Sequence, residues 1–249
     1  MPTRIAVVGA TGRLGSHVCE IVGALPDHEL VARLDSRSDL QEMIGADIVV
    51  DATLPGVSAK VVEFGLSQGL KVLVGTSGWN HDKIASLAAL VDANPGTGVY
   101  VVPNFSLGAT LQSVVARLVA AQFESIEIVE THHAGKVDSP SGTAVRVAEQ
   151  IAHVRRELGG VIAPHSNQSA RGELVAGVPV HSLRLSGVLA KQDIIFGGVG
   201  ETLTVSHETH SRDAYQAGIV AALAFMKNHT GVAVGLEHAL GISAGISAP

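Results

Sequence analysis

The chain has little of what several protein classes require. It holds one cysteine, Cys19, among 249 residues, which excludes an intramolecular disulfide and a cysteine-built zinc site. Cys19 falls in a stretch of helical periodicity, where a small buried apolar role is expected. Aromatic residues make up 3% of the chain, too few for a ring-rich recognition face. Lys and Arg number 17 against 23 Asp and Glu, so no basic excess is available to neutralise nucleic-acid phosphates. An anionic small molecule needs only a few local cations and stays open. No apolar run reaches the length of a membrane span. Met1 leads into an apolar strand with no charged leader. A soluble, cytoplasmic protein with no nucleic-acid and no membrane partner is expected.

What the chain does have is aliphatic side chains and glycine: 46% hydrophobic residues and 28 glycines, a balance that suits a glycine-punctuated α/β protein. The runs Ile5–Val8, Leu30–Leu34, Ile48–Val50, Val72–Val74 and Val99–Val102 fit strands buried on both faces. Between them, Leu14–Leu25, Val57–Gln68 and Asp82–Asp92 fit helices, and Leu40–Ile44 fits a short turn. This alternation predicts an α/β fold, a Rossmann-like doubly wound parallel sheet with right-handed crossovers.

The pattern changes after Pro103. A helix is expected at Leu107–Gln122, a strand at Ser125–Thr131, and a second helix from Gly142 to Leu158. Gly159–Pro179, rich in Gly, Pro, Ser and Asn, predicts a long loop. Candidate strands at His181–Ser186, Asp193–Phe196 and Thr202–Glu208 are closely spaced, which favours antiparallel pairing. A last helix is expected at Asp213–Lys227. The expected division is residues 1–103 plus 213–249 as a dinucleotide-binding domain. Residues 104–212 then form a second α+β domain on a mainly antiparallel sheet, for substrate binding and oligomerisation.

Gly9-Ala10-Thr11-Gly12-Arg13-Leu14-Gly15 lies between the first strand and the first helix. Gly9 permits the tight turn, Gly12 lets a pyrophosphate approach the backbone, and Gly15 lets helix pack closely on strand. N–H groups at the helix start then face the phosphates. Asp35 stands at the end of the second strand, where an acid takes the adenine-ribose hydroxyls. The alternative for Asp35 is a residue that begins the turn Asp35-Ser36-Arg37-Ser38. An acid there favours NADH, while Arg13 and Arg37 offer charge for a 2′-phosphate, so NADH and NADPH both stay open.

The segment from Glu130 to Ala144, E-T-H-H-A-G-K-V-D-S-P-S-G-T-A, carries the most chemistry. His132, His133 and Lys136 put three potential cations beside a helix start, whose free N–H groups also favour an anion. Ser141 is the expected N-cap, with Gly142 and Thr143 as backbone donors to a carboxylate. His and Lys together supply proton donors near neutral pH. Each part also has a plainer role: Lys136 as a solvated loop charge, Asp138 and Pro140 as turn residues. A metal on the pair His132–His133, with Glu130, is not expected, because adjacent strand residues point to opposite faces and no further ligand is near to complete a set.

This segment resembles the signature of the 4-hydroxy-tetrahydrodipicolinate (dihydrodipicolinate) reductase family, E-x-H-H-x-x-K-x-D-x-P-S-G-T-A, with Ser139 in place of the usual alanine. Gly9–Gly15 is similar to the family's cofactor loop and Asp35 to its ribose acid. Gly75-Thr76-Ser77-Gly78 resembles its Gly-Thr-Thr-Gly loop, and Val102-Pro103-Asn104-Phe105-Ser106 its second nicotinamide-side loop. Asp51-Ala52-Thr53 departs from the family's Asp-Phe-Thr by the loss of a ring. Val178–Gly187 and Gly200–Arg212 are similar to its later segments.

The resemblance implies reduction by NADH or NADPH of a cyclic hydroxy imine dicarboxylate, with loss of water, in a homotetramer. It implies proton donation by His132 and Lys136, and carboxylate binding by His133, Gly142 and Thr143. It places the cofactor on Gly9, Ala10, Thr11, Gly12, Arg13, Leu14, Asp35, Gly75, Thr76, Ser77, Val102, Pro103, Asn104 and Phe105. Two rivals share the cofactor loop: another two-domain dehydrogenase acting on an amino or semialdehyde acid, and a nicotinamide-sensing regulator. Neither has a use for His-His-x-x-Lys ahead of Pro-Ser-Gly-Thr.

Overall fold

The computed structural model describes residues 1–242, so the end of the expected 213–249 segment lies outside the described residues. The chain divides into two compact units, residues 1–105 with 215–242, and residues 106–214.

The first unit is a sheet of six parallel strands. In chain order it contains β1 (Thr3–Val8), α1 (Arg13–Ala24), β2 (His28–Leu34), β3 (Ile48–Asp51), α2 (Pro55–Ser67), β4 (Lys71–Val74), α3 (His81–Asp92) and β5 (Gly98–Val101). The strand order β2-β1-β3-β4-β5 is parallel throughout. Such a sheet must be apolar on both faces because helices cover both, and β3 and β5 are accordingly buried along their whole length. The order reverses beside β1, which opens a crevice at the carboxyl ends of the strands. The expected turn at 40–44 is a 3-10 helix, Leu40–Met43, closed by an Asp39–Glu42 capping box.

The second unit holds α4 (Leu107–Ala120), β6 (Ser125–His133), α5 (Gly142–Val154), β7 (Glu173–Val175), β8 (Val178–Leu185), β9 (Ala190–Gly198) and β10 (Glu201–Thr209). Its sheet runs β10-β9-β6-β8-β7. Alternation along β6 sends Ile126 and Ile128 into a core shared with Val147 and Ile151 of α5 and with Ile194 and Phe196 of β9. Glu130 is the next residue in that buried row.

Four expectations change. The stretch 159–179 is not all loop, because β7 and β8 form a hairpin through Ala176 and Gly177. Both turn residues have positive φ, 49° and 87°, the pattern of a two-residue hairpin turn. Alanine is not a residue that announces this turn. Strands β8 and β9 are not partners either. The α5 crossover returns the chain parallel to β6, and β9 then pairs on the other edge of β6. The second helix stops at Val154, and the 3-10 turn Arg212–Tyr215 precedes the last helix, α6 (Gln216–Asn228). Finally, β11 (Gly231–Val234) adds an unforeseen sixth strand to the first sheet, parallel to β5.

Arg171, for which the sequence offers no role, ties the long loop to the sheet. Its guanidinium pairs with Glu127 of β6, whose other oxygen meets His181 Nε2 of β8 at 2.7 Å.

Candidate active site

In the first unit the family-like loops gather at the carboxyl edge of the sheet. Gly9 follows β1 with φ +83°, and a Cβ there would lie 2.3 Å from the Ala52 carbonyl oxygen. A Cβ at Gly15 would lie 2.1 Å from the Gly9 carbonyl oxygen. Both glycines are therefore required by backbone approaching backbone. Helix α1 begins after Gly12, with no side-chain cap on its first turn. A bare, uncapped helix start at a topological switch point fits the pyrophosphate of a dinucleotide. Gly75 sits where a Cβ would come within 2.8 Å of both the Leu14 and Phe105 side chains. Three segments distant in sequence therefore meet there. Val102 continues this edge, its N–H donating to Val74 at 2.8 Å.

The Asp35 carboxylate accepts from the Arg37 N–H at 2.8 Å and from its guanidinium at 3.1 Å. The backbone bond first, then the guanidinium, hold its pKa below the usual carboxylate range. The turn role and the ion pair are thus both present at the end of β2.

Asp51 is fully buried at the end of β3. It accepts from the Thr53 hydroxyl at 2.6 Å and backbone N–H at 3.1 Å, and from the Ser58 hydroxyl. Trp79 Nε1 donates to Ser58 at 2.8 Å, and the Thr53 N–H also donates to Thr76 Oγ1 at 2.9 Å. This network joins the Ala52–Thr53 turn to the Gly75–Trp79 loop, as buried polar groups demand partners. The missing family ring at Ala52 leaves it intact.

The second unit carries the His–Lys loop. His132 and His133 are the last residues of β6, and strand alternation sets them on opposite faces. His132 Nδ1 lies 2.6 Å from Glu130 Oε2. Arg184 of β8 grips both Glu130 oxygens, at 2.9 and 3.0 Å. Burial pushes the Glu130 pKa up, but bonds from Arg184, Ser182 and His132 outweigh it and hold the group ionised. Burial pulls the His132 pKa below its usual value, with Glu130 opposing. Lys136 Nζ bonds both oxygens of Asp138 at 2.7 Å. Ser141 caps α5 through the Ala144 N–H at 3.2 Å, leaving Gly142 and Thr143 in the first turn. Within this unit, His132, His133, Lys136, Gly142 and Thr143 lie on one strand end, its loop and the following helix start.

Sequence reasoning assigned nothing to Arg184 or Ser182 and gave Glu130 no role beyond a possible metal contact. The available signal was a glutamate in a row of buried aliphatic residues, which demands a cation. Among the described residues no group of three or more His, Cys, Asp or Glu side chains is placed to hold a metal ion. No helix among them is long and apolar enough to cross a membrane.

Comparison with known proteins agrees with this anatomy. The family described as dihydrodipicolinate reductase matches twice, its N-terminal part over residues 3–105 and its C-terminal part over 106–240. A 4-hydroxy-tetrahydrodipicolinate reductase of Clavibacter sepedonicus is 53% identical, covering 95% of this chain and 86% of the relative. One from Streptomyces coelicolor is 42% identical over 96% of this chain and 98% of its own. The solved dipicolinate-bound dihydrodipicolinate reductase from Paenisporosarcina sp. TG-14 is 30% identical. It superposes with a TM-score of 0.81, covering 95% of this chain and 99% of that one. Fold and cofactor edge define a two-domain, nicotinamide-dependent oxidoreductase. The chain belongs to the dihydrodipicolinate reductase family.

Proposed function

We propose that this enzyme reduces 4-hydroxy-tetrahydrodipicolinate to tetrahydrodipicolinate with loss of water, using NADH or NADPH, in lysine and diaminopimelate biosynthesis. The observation that carries the proposal is that two proton-bearing side chains, His132 at the end of β6 and Lys136 in the loop that follows, precede a capped helix start.

Bound nicotinamide supplies a hydride. Loss of water from the substrate ring, as hydroxide from one carbon and a proton from its neighbour, leaves a conjugated imine, and the ring that accepts the hydride gains electron density that a proton must neutralise. His132 delivers that proton, assisted by Lys136. Lys136 exchanges Asp138 for a substrate carboxylate, and His133 with the Gly142 and Thr143 N–H groups binds the carboxylates at the positive end of α5. In the first unit, Gly9 to Leu14 cradle the pyrophosphate, and Asp35 takes the adenine ribose. Gly75 to Ser77 and Val102 to Phe105 line the nicotinamide side. We further propose a cytoplasmic homotetramer, which sedimentation of the purified protein tests: a monomer refutes it.

The test follows loss of NADH or NADPH absorbance while a coupled synthase makes the unstable substrate from pyruvate and aspartate semialdehyde. Oxidation should require the synthase. His132→Gln should lower kcat by about 10²–10⁴-fold, the range of a lost general acid, with NADH binding unchanged. Cofactor binding without turnover beside an active synthase would overturn the proposal.

A further inference from the structure

In the second unit one buried carboxylate ties together His132, the start of α5 and, through Arg184 and Asp138, Lys136. Glu130 Oε2 meets His132 Nδ1 at 2.6 Å, and Oε1 takes the backbone N–H of Ser141, the α5 cap, at 3.1 Å. Arg184 closes on both oxygens at 2.9 and 3.0 Å and also donates to the Asp138 carbonyl at 2.6 Å. The Asp138 carboxylate in turn holds Lys136 Nζ at 2.7 Å. The parallel register of β6 with β8 sets Arg184 beside His132 and Ser182 beside Glu130.

We propose that Glu130 and Arg184 are positioning residues for the reduction. They fix His132 with a proton on Nδ1 and its Nε2–H as the transferable proton, and they hold Lys136 and the start of α5 in register with it. The inference rests on His132 being the proton donor.

An ionised carboxylate only accepts hydrogen bonds, so the imidazole nitrogen facing Glu130 must carry hydrogen. A guanidinium is needed opposite because its planar fork meets two carboxylate oxygens and a third acceptor at once, which a lysine ammonium does not. The arrangement is not explained by stability alone. Removing a charge from water costs so much that a buried ion pair is a weak stabiliser compared with apolar packing. Among the described residues, Glu130 favours the protonated form of His132, while Lys136 and Arg184 oppose it.

The test compares Glu130→Gln, Arg184→Gln, Arg184→Lys and His132→Gln by kcat, KM, NADH affinity and the pH profile. The glutamine amide at position 130 donates to Nδ1 and so selects the other tautomer. Its kcat should fall on the order of 10²-fold or more, as for an imidazole set in the wrong tautomer, with NADH affinity unchanged. Its alkaline limb, where His132 loses its proton, should move to lower pH by about half a pH unit or more, because a neighbouring anion is gone. Arg184→Gln removes a cation, so its limb should move to higher pH. Arg184→Lys keeps the charge, so the limb should stay while kcat falls.

Glu130→Gln and Arg184→Gln limbs that both coincide with that of the unsubstituted enzyme, or that move in the same direction, would overturn the inference. If Glu130→Gln does not fold, imidazole nitrogen resonances of the unsubstituted enzyme decide instead: neutral His132 protonated on Nε2 overturns the inference, and on Nδ1 it supports it. Near-normal kcat in His132→Gln would instead sink the proton-donor reading itself, so the two failures are distinguishable.

Discussion

Two alanine substitutions in the same helix should act in opposite directions. Gly15 and Gly23 both lie in α1. A Cβ on Gly15 would lie 2.1 Å from the Gly9 carbonyl oxygen and 2.9 Å from Ala10 Cα, whereas one on Gly23 meets nothing within 4 Å. Both obstacles at Gly15 are backbone, so no side chain can swing aside, and the helix must retreat from the glycine loop by more than an ångström. Overpacking of this kind costs about 1–3 kcal/mol or more. Gly23→Ala instead removes helix-disfavouring backbone freedom, a gain of up to about 1 kcal/mol. For a chain of this length each kcal/mol moves Tm by roughly 2–4 °C. Gly15→Ala should therefore melt about 2–16 °C below Gly23→Ala in thermal denaturation followed by circular dichroism. It should also weaken NADH binding, measured by titration calorimetry, because the displaced loop is the proposed phosphate cradle. Equal melting points with equal NADH affinity would refute both the packing argument and that assignment.

Lys136→Ala should raise KM and lower kcat together, because the ammonium has two proposed tasks; steady-state kinetics that leave both constants unaltered would remove it from the site. Glu127→Gln tests the anchor of the long loop. Burial raises the Glu127 pKa but Arg171 and His181 together hold it low. Its contribution is present above the ordinary glutamate pKa and is lost as pH falls through the depressed one. Urea unfolding should show the variant weaker at pH 7 and indistinguishable from the unsubstituted protein below that range. Trp79→Phe deletes the bond to Ser58, a loss of about 0.5–1.5 kcal/mol, and differential scanning fluorimetry should show a Tm drop of roughly 1–6 °C.

The sequence alone determined the parallel sheet from β1 to β5, because strands covered on both faces must be nearly continuous apolar runs and helices must fill the intervals. It marked the glycine loop by the spacing of Gly9, Gly12 and Gly15 between a strand and a helix. The clash that demands glycine is local at Gly15, against Gly9, but tertiary at Gly9, against Ala52. It also placed His132, Lys136, Ser141, Gly142 and Thr143 together, since a strand end, a short loop and a capped helix are contiguous in the chain. Tertiary structure alone decided what required partners distant in sequence. Spacing cannot say that β8 lies beside β6 rather than β9, because the α5 crossover, not proximity along the chain, selects its neighbour. That register brings Arg184 to Glu130 across 54 residues and turns a glutamate in an aliphatic row into a satisfied group. Leu14, Gly75 and Phe105 likewise meet only because β1, β4 and β5 end on one edge. The β7–β8 turn and β11 stayed hidden for a related reason. β7 has three residues and β11 four, neither stands in the β–α alternation that marks the other short strands, and their stability comes from the sheet they join rather than from local pattern.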